Sequence, residues 1–288
     1  MLKRDDIRIR DPFILTDREH KKYYMYGTTA LNADLSTRPS FSVYESEDLE
    51  NFKEPIEVFN GERFWADRDF WAPEVYQYLG RYYMFASFKS ADHVRAVQIL
   101  VSDTPTGRFA PVSEKPVTPK GWECLDGTFF VDRGKPYMIF SREWLQVGDG
   151  EFYSVLLSED LSEVRSAPKL MFKASAHPYL KPFAANGFDK CYVTDGPFLY
   201  REHDRVKMIW SGLSEGKNYC VLLSEAETVE GEWKHNPIPL FDKNGGHAMI
   251  FENLKGDKYI SLHRPNNPQS ERAVFLKYSE LMLKEENK

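Results

Sequence analysis

A chain of 288 residues exceeds the usual size of one domain, although all-β architectures reach that length as a single unit. At 42% hydrophobic and 15% aromatic it can build a large core, and its Phe, Tyr and Trp content favours strands. A net charge of −6, from 38 basic against 44 acidic residues with no Lys/Arg block, excludes a nucleic-acid footprint, and no apolar run approaches a membrane span.

The N-terminal Met1-Leu2-Lys3-Arg4-Asp5-Asp6 lacks the apolar core of a signal peptide. The expectation is a cytoplasmic protein as the sequence stands, or a secreted or periplasmic one from which a leader has been removed. Cys124, Cys191 and Cys220 are odd in number, have no metal-type spacing, and read as reduced, buried thiols.

From Asp11 onward the chain repeats one order of short apolar runs five times. The first unit opens at Asp11-Pro12-Phe13-Ile14-Leu15 and continues through Tyr23-Tyr24-Met25-Tyr26-Gly27, Phe41-Ser42-Val43-Tyr44 and Pro55-Ile56-Glu57-Val58-Phe59. The later units open at Ala72-Pro73-Glu74-Val75-Tyr76, Asp126-Gly127-Thr128-Phe129-Phe130, Asp195-Gly196-Pro197-Phe198-Leu199 and His247-Ala248-Met249-Ile250-Phe251. The fifth lacks a clear fourth strand unless Leu281-Met282-Leu283 supplies it, and Ile7-Arg8-Ile9 offers an outer strand to that last blade. Polar turns bearing Gly or Asp, such as Leu79-Gly80-Arg81 and Lys255-Gly256-Asp257, join first strand to second. Four short strands per unit at this recurrence predict an all-β, five-bladed β-propeller in one domain over 1–288, with blades starting near 11, 72, 126, 195 and 247.

In a propeller the first strand of each blade lines the central channel, so the residues opening these strands converge on one pocket. Asp11, Asp126 and Asp195 open first strands, and Glu74 and His247 stand near the equivalent place in the other two. A single Asp before Gly or Pro is most simply a turn residue. Three at matching places raise one another's pKa and cost stability, which points to function.

The motifs Arg10-Asp11-Pro12-Phe13-Ile14, Trp71-Ala72-Pro73-Glu74-Val75, Leu125-Asp126-Gly127-Thr128-Phe129, Asp195-Gly196-Pro197-Phe198-Leu199 and Gly245-Gly246-His247-Ala248-Met249, in this order and spacing, resemble glycoside hydrolase family 43. The resemblance touches all five blades. It implies a propeller that hydrolyses α-L-arabinofuranosides or β-D-xylosides, in some members galactosides or galactofuranosides, with inversion at the anomeric carbon. It makes Asp11 the general base, Asp126 the aspartate that orients and tunes the acid, and Asp195 the general acid. An inverting enzyme needs one carboxylate to activate water and a protonated carboxyl to serve the leaving oxygen. The family's acid position usually carries Glu-Gly-Pro where this chain has Asp195-Gly196-Pro197, a side chain one methylene shorter. Glu143, in Ser141-Arg142-Glu143-Trp144, is the alternative acid, with a surface carboxylate or hydroxyl-binding residue as its plainer reading.

Among the remaining candidates, Trp71 and Trp144 read either as sugar-stacking faces or as core aromatics, and Phe64, Trp65 and Phe70 favour an aromatic wall near Trp71. Glu74, about two positions out of step with the aspartates, reads as a pocket or inter-blade hydrogen-bonding residue, and Trp210 and Trp233 as packing. Arg264, in His263-Arg264-Pro265-Asn266, is expected to bind a substrate hydroxyl or pair with a catalytic carboxylate, against the alternative of an exposed loop. Glu123, in Trp122-Glu123-Cys124, resembles the acid motif of fructan-cleaving hydrolases, but the surrounding motif order does not, and it is set aside. By its spacing alone His247 is a structural histidine; the resemblance adds a structural calcium or other cation on the propeller axis. No cofactor is required. The expected partner is an oligosaccharide or polysaccharide, not a nucleic acid or membrane. The reading is an exo-acting arabinofuranosidase or β-xylosidase-like enzyme, with a β-galactofuranosidase or galactosidase, or a non-catalytic carbohydrate-binding propeller, as alternatives.

Overall fold

The structure, a computed structural model, describes residues 1–29 and 39–281. Its strands fall into five antiparallel sheets, one per sequence repeat, and a separate hairpin of Phe183–Ala185 with Phe188–Cys191. The five sheets are the blades of a β-propeller. Their innermost strands are Arg10–Asp17, Arg68–Tyr78, Cys124–Asp132, Asp195–Glu202 and Gly246–Glu252. Each is hairpinned to a second strand, respectively Lys22–Thr28, Arg81–Lys89, Lys135–Arg142, Arg205–Leu213 and Lys258–Arg264. The expected polar turns make these hairpins, with left-handed backbone at Lys21, Gly80, Gly134, Asp204 and Gly256.

Strands such as Arg81–Lys89 and Ala96–Ser102 bury nearly every residue, because each blade packs a neighbour on both faces. They therefore read as continuous apolar runs rather than as alternation. The largest apolar cluster passes through Ile9, Phe13, Met25, Phe88, Ile209 and Ile260; two more lie around Phe85, Phe129 and Phe140 and around Phe152, Trp210 and Leu222.

The outer strands are more uneven than the repeat suggests. Blade two keeps only Ala110–Pro111 of its last segment, and blade one adds Asn51–Phe52 beside the expected Ile56–Asn60. Blade five has three strands among the described residues; Leu281 ends them in a helical turn, and Met282 and Leu283 lie outside. The N-terminal segment closes the ring as expected, though through one antiparallel bridge, Arg8 to Arg272, with Arg272 Nε donating to Asp5 O at 2.7 Å.

One local irregularity recurs in all five inner strands. Each carries an extra residue relative to its partner strand, between Arg10 and Phe13, Trp71 and Glu74, Leu125 and Thr128, Asp195 and Phe198, and Gly246 and Met249, and Arg68–Tyr78 has a second between Arg68 and Trp71. The bulged residues Asp11, Ala72, Asp126, Gly196 and His247 all have positive φ, between 46° and 55°. Asp195 therefore stands one place before the position that Asp11 and Asp126 occupy, and Glu74 two places after it.

Candidate active site

The bulges gather at one end of the channel around a cavity of about 490 Å³, within the range of small-ligand sites. Left-handed backbone at Asp11, Asp126 and His247 costs roughly 1–3 kcal/mol each, a strain typical of functional sites. A staple from the preceding blade supports it. Thr28 Oγ1 accepts from the Ala72 amide at 2.8 Å, Ser87 Oγ from Asp126 at 2.9 Å, Ser211 Oγ from His247 at 2.8 Å, and His263 Nδ1 from Asp11 at 3.3 Å. Blade four breaks the pattern. Ser141 hydroxyl bonds to Thr194 O at 3.1 Å instead, and the Gly196 amide donates to Asp126 Oδ2 at 2.9 Å.

Asp11 is 7% exposed and lines the cavity. Thr28 Oγ1 donates to its Oδ2 at 2.9 Å, while His247 Nδ1 at 3.1 Å and Arg10 Nε at 3.8 Å face Oδ1. Burial pushes the Asp11 carboxyl up, but His247, His263 and Arg10 outweigh it and hold the group below the usual carboxylate range. Asp11 is an ionised carboxylate.

Asp126 and Asp195 behave oppositely to each other. Asp126 is 3% exposed, and burial, then the charges of Asp195 and Asp11, raise its pKa well above the ordinary value. Asp195 is lowered: burial again pushes up, but a hydrogen bond from Asp126, the charge of His247 and the Tyr219 hydroxyl, 2.7 Å from Oδ2, prevail. The opposite shifts favour a proton on Asp126 over one on Asp195, the partly exposed member, which faces the cavity.

Glu143 and Trp144 line the cavity beside this pair, with Glu143 preceding the four-residue helix Trp144–Val147. Burial raises the Glu143 pKa, and Arg95, which hydrogen-bonds Oε2, opposes that. The same guanidinium donates to Asp69 Oδ2 at 2.8 Å and lies 4.2 Å above the Trp71 ring, which is another cavity wall. Glu74 is not on the cavity. It lies buried beneath, with its Oε2 2.5 Å from the Tyr76 hydroxyl, and burial raises its pKa to about 8. Arg264 also stays off the cavity, its exposed side chain donating to Lys243 O at 2.8 Å; from the same loop Asn266, Pro268 and Glu271 form the wall. Trp65, Trp210 and Trp233 donate their indole N–H groups to Gln98, Ser224 and Val229, away from it.

Asp126, Asp195 and His247 each place one potential ligand atom within 4.8 Å of the others, a set of oxygen and imidazole donors suited to a hard cation. The residues fit an ion; they also satisfy one another with a single proton. Arg10, Thr28, Tyr219 and Glu271 complete the site, and none stands out in the sequence as a site residue. Tyr219 and Thr28 sit inside ordinary strand patterns, and Glu271 follows a turn without a motif.

The model of the glycosyl hydrolases of family 43 matches residues 6–280. The endo-arabinase structure from Bacteroides thetaiotaomicron VPI-5482 superposes with a TM-score of 0.88 at 39% identity, covering 96% of each chain. An extracellular exo-α-(1→5)-L-arabinofuranosidase from Streptomyces chartreusis is 24% identical over 60% of this chain and 53% of its own, so the chain spans about half that relative's length. One of the same description from Cellvibrio japonicus is 26% identical over 88% of this chain and 72% of its own.

Proposed function

The chain belongs to glycosyl hydrolase family 43, and from that premise we propose that it is an inverting, exo-acting glycoside hydrolase releasing terminal arabinofuranosyl or xylosyl units from polysaccharide fragments. One observation carries the reading: a single cavity gathers the carboxyl groups of Asp11, Asp126 and Asp195, with Asp11 held below the usual carboxylate range by its cationic neighbours and Asp126 raised above it by burial and by Asp195. That is the division of labour inverting hydrolysis needs. A pocket walled by residues from every blade suits a chain end better than a chain middle. The Streptomyces and Cellvibrio relatives are named extracellular exo-arabinofuranosidases, while the Bacteroides enzyme is named an endo-arabinase.

In the mechanism Asp11 accepts a proton from water as that water attacks the anomeric carbon. A proton relayed from Asp126 through Asp195, at the cavity face of the pair, reaches the leaving oxygen as the glycosidic bond breaks, which leaves both carboxyl groups ionised. Glu143 is the weaker acid candidate because its carboxylate is committed to Arg95. Trp71 and Trp144 offer faces to the sugar. An ion held by Asp126, Asp195 and His247 would supply positive charge where the mechanism keeps a proton. The proton-shared pair therefore expects chelation and added calcium to leave turnover unchanged.

Asp11→Asn tests the proposal. Loss of a general base is worth about 10²–10⁴-fold, so kcat should fall by that factor while the melting temperature holds. Turnover like wild type in a folded variant would remove Asp11 from the mechanism.

A further inference from the structure

Glu271 belongs to the cavity wall and keeps one carboxyl oxygen, Oε2, buried and unpaired. The residue is 1% exposed and lines the cavity, and its Oε2 has no hydrogen-bonding group within reach. Buried polar atoms are almost always paired, and an unpaired carboxylate oxygen costs stability. Its position is nonetheless built rather than accidental. The Glu271 amide donates to Asn267 O at 3.1 Å, the Ser270 amide to the same oxygen at 3.0 Å, and the Asn266 amide to Asn244 O at 3.0 Å, which together fold the loop against the cavity. Arg10, on the first blade, lines the same cavity and feels the Glu271 charge, yet no ion pair joins the two among the described residues. Its guanidinium faces Asp11 at 3.8 Å instead. A donor and an acceptor thus border one space without satisfying each other.

We propose that Glu271, with Arg10 on the other side, is the hydroxyl-recognition carboxylate of the sugar subsite, accepting a hydrogen bond from one ring or side-arm hydroxyl of a neutral glycone. This rests on the reading of the cavity as a glycosidase site and adds to it a specificity determinant that does no chemistry. A carboxylate accepts only, so it selects for a hydroxyl donor at that place. With Asp11 and Asp195 already anionic nearby, it also disfavours a glycone that carries a carboxylate of its own.

The test is a cycle between enzyme and substrate. Wild type, Glu271→Ala and the near-isosteric Glu271→Gln are assayed on the 4-nitrophenyl glycoside that wild type turns over best and on its monodeoxy analogues. A hydrogen bond to a charged group predicts that one deoxy analogue loses about 10–100-fold in kcat/KM with wild type. With Glu271→Ala the parent substrate should lose a similar factor and the same analogue less than about threefold more. Glu271→Gln, which can still accept, should fall between, and it carries the test if the alanine variant does not fold. Equal deoxy penalties in wild type and both variants would overturn the assignment. The cycle compares active enzymes, so its failure leaves the Asp11→Asn result standing, and retained turnover by Asp11→Asn would count against the catalytic reading instead.

Discussion

Asp11 and Asp126 are both aspartates, both bulged and both buried, yet one is held ionised and the other protonated. The difference is their company: Asp11 faces His247, Arg10 and the Thr28 hydroxyl, whereas Asp126 faces Asp195. Because Asp11 stays ionised below the ordinary carboxylate range, activity should persist on the acid side and fall with rising pH as the Asp126–Asp195 pair loses its proton. A pH profile of kcat/KM checks this, and an acid limb near the usual carboxylate pKa would contradict it. Stability should follow a related course. A carboxyl whose folded pKa is raised binds a proton that the unfolded chain has released, so its contribution is full below the unfolded value and is lost as pH rises through the folded one. Glu74 offers the cleaner measurement, since it is buried off the cavity and its pKa rises from 4.5 to about 8. Between those values it should cost on the order of 5 kcal/mol, and Glu74→Gln should flatten the decline in stability over that window. An unchanged pH dependence in Glu74→Gln would mean that Glu74 is not the titrating group.

At the scale of elements, the bulge and its staple decide what points at the axis. The recurrence of Asp before Gly or Pro made the converging strands legible in the sequence, because hairpin turns and repeat order are local signals. The one-residue offset of Asp195 was not legible. It depends on which residue of each strand is the extra one, and in blade four the Gly196 amide donates to Asp126 Oδ2 where the other blades use a staple such as Ser87 or Ser211. Arg264 and Glu271 make the same point in the loop of blade five. The motif around Arg264 marked the right loop, and the turn through Asn267 then put Glu271 rather than Arg264 at the wall. The staple is open to test. Ser211→Ala leaves the His247 amide without its acceptor, at about 1–3 kcal/mol, and should lower Tm by several degrees. Gly196→Ala should do more harm to activity than to folding. Gly196 has φ +46°, and a Cβ there would lie 2.7 Å from the His247 ring, displacing the group that faces Asp11. Thermal denaturation and kcat, measured on both variants, separate these effects; two variants with wild-type Tm and rate would show that the staple positions nothing.

At the scale of the whole molecule, five blades that each bury both faces leave few independent parts, and the site draws on all of them. The ring closes where chain start meets blade five, through the Arg8 bridge and the buried side chains of Ile7 and Ile9. Ile9→Ala, at a fully buried site, should cost about 2–5 kcal/mol, visible in denaturant unfolding. Closure matters because Asp11 and its partners His247 and His263 come from opposite ends of the chain and meet only across that seam. Inversion follows if a water held by Asp11 attacks from the face opposite the bond that the Asp126–Asp195 pair helps to break. It is tested most directly by proton NMR of the first sugar released from an aryl α-L-arabinofuranoside or β-D-xyloside, before mutarotation. The anomer of inverted configuration should be released first; release of the retained anomer would rule out direct attack by that water.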